Sequence, residues 1–374
     1  MELYEILIES VEQGIKLQRE DGRMPPGHNG PWNDPETPVR NTSHWLITFS
    51  KAYEITGEEK FKDAAEKSIE YLTSEEARPH DYTFHHRKKG EKTKCNGLVG
   101  QAWTIEALVY TAKVLDRDEL MELAEEVFLL HPFNQDFGLW QRVEIDGELL
   151  FYDMTLNHQL WFAASGSMIE SSRVREQVEC FLDNLEDNMD LYSDGTIVHH
   201  VARDLSGKDF LNSFKNSKNF KLFFGRLKHL ISDYRSETTS LEKSRNKAVG
   251  YHSFNTYALA LIKQNAQNHA FWSSDKFKKA LNYSKSEAYE SELEGNSYGF
   301  PFNPPGIENA FTLNVFEQDT EKEENWITLQ LSKTFDFDKN LMDKEEVVSD
   351  MNTYSARIYE ASRLPNYELE LNDL

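Results

Sequence analysis

The chain has 374 residues, enough for one large domain or two ordinary ones built on a sizeable core. Its 41 Lys and Arg against 64 Asp and Glu give a formal charge of −23, which argues against nucleic-acid binding and against docking on an anionic membrane. A composition 39% hydrophobic and 12% aromatic is globular; with no bilayer-length apolar run, no signal-like start and two cysteines, Cys95 and Cys180, it points to a cytoplasmic protein with neither membrane insertion nor a disulfide framework.

In chain order, residues 2–17 read as an amphipathic helix. Helical runs then come in pairs: one apolar almost all round, the next with a single apolar stripe. A helix apolar on every face is buried, and a striped one covers it from outside. The pairs are 44–56 with 61–72, 98–112 with 120–128, 156–168 with 174–185, 254–262 with 276–288, and 310–316 with 324–334. A last buried run, 353–362, takes the opening helix as its outer partner. His44, Gln101 and His158 are spaced by 57 residues, as are His252 and Asn309; the step from His158 to His252 is longer by 37. An insertion is therefore expected at about 193–240, with extra helices over 209–234.

Turns from buried to covering helix are short (Gly57-Glu58, Asp116-Arg117, Glu170-Ser171), whereas those leading into the buried helices are long. Within one long connection, 138–153 reads as a β-hairpin turning at Asp146-Gly147. Six helix pairs closing on themselves predict an all-α (α/α)6 toroid spanning 1–374 as one domain, with small β-hairpins in the long loops. Long loops gathered at one end are the expected seat of chemistry.

The starts of the buried helices carry more polar residues than capping needs. Asn41, Asn96, Asp153, Ser253 and Asn352 suit N-caps. His44, His158, His252 and Arg357 do not, and eight of twelve histidines fall at these starts or in the long loops. Histidine transfers protons near neutral pH, as acid–base chemistry on a sugar requires. Trp32 and Trp140, in loops, suit stacking on a sugar ring, and Asn157 and Asn255 suit hydroxyl recognition; Gln101 and Asn309 share the helix-start register. His85 and His86 open a cationic stretch, 85–94, with five Lys or Arg against one acid. With Arg40, Arg142 and Arg357 it suggests an anionic, uronate-like ligand. Asp153 is the best-placed acid for glycoside hydrolysis, which generally needs a second carboxyl, from Asp34, Asp194, Glu308 or Asp350. A histidine-rich site with fewer acids suits epimerisation or elimination instead. No phosphate-cradling Gly-rich loop, Gly-x-Ser-x-Gly elbow or metal-ligand spacing occurs, so neither a cofactor nor a metal is expected.

The stretches Ala52-Tyr53-Glu54-Ile55-Thr56-Gly57 and Asn96-Gly97-Leu98-Val99-Gly100-Gln101-Ala102-Trp103 resemble the six-hairpin glycosidase superfamily, including unsaturated glucuronyl hydrolases and sugar 2-epimerases. The region from Asn96 to His158-Gln159-Leu160-Trp161, with Ser355-Ala356-Arg357-Ile358-Tyr359, is similar to proteins of archaeal N-glycosylation gene clusters. The resemblance implies a carbohydrate substrate in a central funnel. It makes Asp153 the counterpart of the glucuronyl hydrolase acid, but their second acid is Asn96 here; His252 resembles an epimerase histidine, although the epimerase His-x-x-Glu becomes His252-Ser253-Phe254-Asn255. The leading expectation is a glycoside hydrolase acting on a uronic-acid-type glycan, with Asp153 as acid or base oriented by His158 and His252. The alternatives are an epimerase or isomerase using His252 and His158 as its acid–base pair, and a glycan-binding protein without catalysis.

Overall fold

The computed structural model describes residues 1–88, 93–203, 205 and 241–371. Its helices are α1 (Leu3–Leu17), α2 (Val39–Thr56), α3 (Glu59–Leu72), α4 (Gly97–Leu115), α5 (Asp118–Leu129), α6 (Leu156–Ser167) and α7 (Ser172–Asn188). Beyond the predicted insertion follow α8 (Leu241–Gly250), α9 (His252–Asn265), α10 (Asp275–Ser284), α11 (Glu287–Leu293), α12 (Pro305–Phe316), α13 (Thr320–Thr334) and α14 (Met351–Ala356). Most of the predicted insertion, with the helices expected over 209–234, lies outside the described residues, as do positions 89–92 of the cationic stretch.

Hydrophobicity alone sorts the helices into two rings. Helix α4 is buried on nearly every face from Gly97 to Val109, whereas α3 buries one stripe, Phe61, Ala64, Ala65, Ser68, Ile69 and Leu72. The inner ring runs α2, α4, α6, α9, α12 and a 3-10 segment, Arg357–Arg363, that continues α14 and packs back on α2. The outer partners are α3, α5, α7, α10, α13 and α1, so the (α/α)6 toroid closes. An isolated antiparallel bridge between Glu2 and Glu368 ties the segment after the last inner element to the start of α1.

Two elements differ from expectation. The outer run 276–288 breaks in two because the Ser286 hydroxyl accepts from Tyr289 N and starts a new helix. The last inner run tightens at Arg357; in 3-10 geometry residues three apart eclipse, which sets Arg357 against Glu360, Nε to Oε1 2.6 Å.

The predicted hairpin gains a third strand: β1 (Phe133–Asn134), β2 (Leu139–Val143) and β3 (Leu149–Tyr152) form an antiparallel sheet in that order. It is anchored from the adjoining helix. Gln159 donates to the Trp140 and Asp153 carbonyls and accepts from Trp140 N. Gln101 does the same one pair earlier, bridging Phe84 N and O and the Cys95 carbonyl. Both amides are fully buried structural pegs, which removes Gln101 from the substrate contacts. The partner of Gln101 in the repeat is thus Gln159, not His158. A one-residue offset is a turn of about 100° around a helix, and it swings His158 out of the packed interface and into the funnel.

Candidate active site

The long loops converge on a cavity of about 270 Å³ at the N-terminal ends of the inner helices, close to the lower end of the range for small-molecule sites. Its lining includes Trp32, Arg40, Asn157, His158 and Arg357 from the expected set. His158 Nδ1 lies 2.8 Å from Asp153 Oδ2. The same Oδ2 accepts from Leu98 N at 3.1 Å, within the first turn of α4, and Oδ1 accepts from Thr155 N at 3.2 Å. Burial pushes the Asp153 carboxyl up, but the charge and hydrogen bond of His158, the Arg142 charge and the Leu98 N–H outweigh it and hold it well below the usual carboxylate range.

Asp153 is buried, does not line the cavity and accepts three hydrogen bonds, which does not fit the leading expectation that its carboxyl meets the substrate; the pairing, with His158 Nδ1 as donor and His158 in the cavity lining, fits the alternative in which Asp153 tunes a histidine. Gly97 makes this possible. Its φ of +62° is a left-handed conformation, and a Cβ there would sit 2.6 Å from Asp153 Oδ2 and 2.9 Å from His158 Nδ1.

Two buried ion pairs form the walls. Arg40 Nη1 donates to Asn29 Oδ1 (3.0 Å) and Glu36 Oε1 (3.2 Å), and its guanidinium lies 4.1 Å over the Trp103 ring. Arg357 donates from Nη2 to Glu308 Oε1 (2.5 Å), from Nε to Glu360 Oε1 (2.6 Å) and from Nη1 to Asn303 Oδ1 (3.0 Å). Burial pushes Glu360 up to about 8 against the pull of Arg357, with Glu308 adding to the rise. Burial raises both carboxyls that share the one Arg357 cation. Trp32 sits on a 3-10 turn between left-handed Asn29 and Asn33, its Nε1 3.4 Å from the Tyr251 hydroxyl and Lys247 Nζ 4.8 Å from its ring.

The remaining expected contacts lie elsewhere. Trp140 is buried among Phe128, Phe133, Phe162 and Phe181, and its Nε1 donates to Gln177 on α7, so its strand turns it away from the funnel. His252 is a packing peg: Nδ1 accepts from Ile197 N, and Nε2 meets Ala280 O and Ser284 Oγ. It is not an acid–base group of the cavity. Asn309 donates to Ser284 O, His85 engages Arg87 O, His86 engages Thr104 Oγ1 and Arg142 donates to Phe151 O. His44 stacks on Tyr359 (4.4 Å) behind the lining, and Asn255 is buried in the inner ring. None of these lines the cavity. Conversely, Trp103, Lys247 and Asn303 line it without having stood out in the sequence, because apolar neighbours or an irregular loop hide them. Among the described residues no group of three or more His, Cys, Asp or Glu is placed to hold a metal ion, and no helix is long and apolar enough to cross a membrane.

The buried imidazoles make a pH prediction. Burial pushes His252 down to about 3, with the Ala280 carbonyl and Asp194 opposing. The unfolded chain therefore takes up this proton first, and between about pH 6.5 and 3 the residue costs roughly 1.4 kcal/mol of stability per pH unit of acidification. Buried Glu36, Glu106, Glu308 and Glu360, pushed up by burial, act with the opposite sign, so the informative quantity is a difference. His252→Asn is expected to be less stable at pH 7 but to lose less on going to pH 5, measured by urea unfolding; a wild-type slope in the variant would refute this.

No family model matches the chain. Along its length it is 44% identical to "Archaeal glycosylation protein Q" of Haloferax volcanii, over 374 residues and 99% of each chain. Among solved structures it is similar to cellobiose 2-epimerase from Bacillus thermoamylovorans (TM-score 0.63, 10% identity, 96% of this chain and 98% of that one). It is also similar to a D-mannose isomerase (0.60, 12%, 96% of each) and to the α-1,6-mannanase GH76A from Salegentibacter (0.57, 12%, 96% and 98%). At these identities the structural likeness is one of fold.

Proposed function

The chain belongs to the family of archaeal glycosylation protein Q, within the six-hairpin glycosidase superfamily, and on that premise we propose that it isomerises or epimerises an anionic, uronate-type sugar used in glycosylation. The observation that carries this reading is the Asp153–His158 pair, which presents an oriented imidazole to the cavity. Removing and returning a proton beside a carbonyl needs such a group near neutral pH. Two-carboxyl hydrolysis asks for a pair of acids at the cavity, and among the described residues Asp34 is the one carboxylate that lines it.

Arg40 and Arg357 line the cavity and are held in place by their protein partners, a fixed polar wall for negative charge developing on an enediolate oxygen. Their own charges are matched by Glu36 and Glu308; Arg87 and Lys247 also line the cavity, where Asp34 is the one acid among the described residues, and this cationic lining supports an anionic sugar. Two neighbouring fold relatives with epimerase or isomerase names fit this chemistry, and a third names a mannanase.

The test is incubation of the purified protein in deuterated water with free hexuronates, neutral hexoses and glycosides of both, read by mass spectrometry and NMR. The expected result is one deuterium entering at a carbon beside the carbonyl, with hexuronates favoured. Cleavage of a glycoside without exchange would replace the reading by hydrolysis; binding without conversion would replace it by a glycan-binding role.

A further inference from the structure

One imidazole supplies half of such a reaction. Breaking a C–H bond beside a carbonyl needs a base at carbon, and the carbonyl oxygen needs an acid in the same step. The segment holding the second candidate is paired directly with the entry to α6. Leu156 N donates to His199 O at 2.9 Å, and Thr155 forms an isolated antiparallel bridge with His200. This pairing brings His199 to the cavity wall beside His158, two residues into the same helix. The His199 ring is held between Tyr251 (centroids 5.0 Å) and His200 (5.3 Å), and its buried Nδ1 has no hydrogen-bond partner. Unlike His252, whose two nitrogens both meet protein partners, His199 has a ring nitrogen that no protein group engages.

We propose that His199 is the base that takes the proton from carbon, with His158 as the acid at oxygen; this rests on the isomerase or epimerase reading of the cavity. The C–H pair becomes the C=C bond of an enediol, the carbonyl π pair moves to oxygen, and oxygen takes the proton from His158 Nε2. Collapse to the isomer moves protons at the other positions: His199, after exchange with solvent, protonates the neighbouring carbon, and the hydroxyl on the original carbon gives its proton to His158 as it becomes the new carbonyl. Epimerisation reverses the first transfers after the enediol has turned its opposite face to His199. Nothing is oxidised and no co-reactant is needed.

The surroundings of His199 suit a base. Burial, then Lys247 on α8, His200 beside it and His158 on α6, push His199 well below the usual histidine value, with Asp153 the opposing charge. His199 is therefore a neutral base. His158 is held from its other side, donating from Nδ1 to the Asp153 carboxylate.

The experiment takes whichever free hexuronate or hexose the wild type labels in deuterated water. His199→Asn and His199→Gln are expected to lose about 100-fold or more in both conversion and deuterium entry. Binding of the same sugar, followed by intrinsic fluorescence, should stay within about threefold. Added imidazole is expected to restore at least tenfold of the rate of His199→Ala, which a misfolded or merely repacked variant would not allow. Variants that label at near wild-type rate, or a slow variant that imidazole leaves unchanged, would overturn the role of His199 and leave the reaction class standing. A wild type that labels no sugar would instead remove the reaction class, and the role of His199 with it.

Discussion

His158→Asn is expected to lower turnover by roughly 10²- to 10⁴-fold with little change in sugar binding, because it removes a proton-transfer group and leaves the cavity walls in place. Asp153→Asn should fall in the same range for a different reason. The carboxylate now accepts from His158 Nδ1, so the imidazole keeps Nε2 at the cavity. An amide can turn an N–H towards Nδ1 in that place, so the ring loses the acceptor that fixes its orientation at the cavity. Since the two residues work as a unit, the double variant should be little slower than the slower single one. Steady-state kinetics with deuterium entry as the readout checks all three. A double variant whose losses multiply would mean that Asp153 acts independently of His158.

The second large effect is on stability. Arg357→Met leaves Glu308 and Glu360 buried with no cation between them, and breaking a buried ion pair from one side costs about 3–5 kcal/mol. The sign with pH follows from the carboxyls. Their folded values already lie above the unfolded one, Glu360 at about 8, and losing Arg357 raises them further. Such groups favour the folded chain below about pH 4.5, and that contribution is lost as pH rises through the folded value. The variant should therefore be damaged more at pH 8 than at pH 5 in urea unfolding, and Glu308→Gln added to Arg357→Met should recover part of the loss. An equal penalty at both pH values would show that lost packing against Phe254, not charge, sets the cost.

The toroid was legible because its cause is local. A helix apolar all round, such as α4, has nowhere to go but the inner ring, and the stripe on α3 covers it. Repeating that couple at a regular spacing leaves a closed double ring as the arrangement that buries every stripe. The hairpin before α6 was legible for the same kind of reason, from an Asp146-Gly147 turn between alternating residues.

The identity of the working residues was only half legible. Polar side chains at the starts of the inner helices marked the end of the molecule where the cavity lies, but not which of them face it. Asn157, His158 and Gln159 are consecutive, yet the first two line the cavity and the third pegs a loop, because each step turns the side chain by about 100°. Trp140 sits on β2 and His199 on a loop segment, and the direction of each is set by strand-like pairing: with β1 and β3 for Trp140, with the Thr155–Leu156 entry for His199. Whether an ionisable group is a peg, a wall or a proton carrier depended on partners 28 to 55 residues distant, such as Ala280 for His252 and Leu98 for Asp153. By itself the sequence determined the burial pattern, hence the fold and the end where the cavity opens; the tertiary structure alone decided which side chains line it, because direction and partnership are properties of the packed ring and not of the residue.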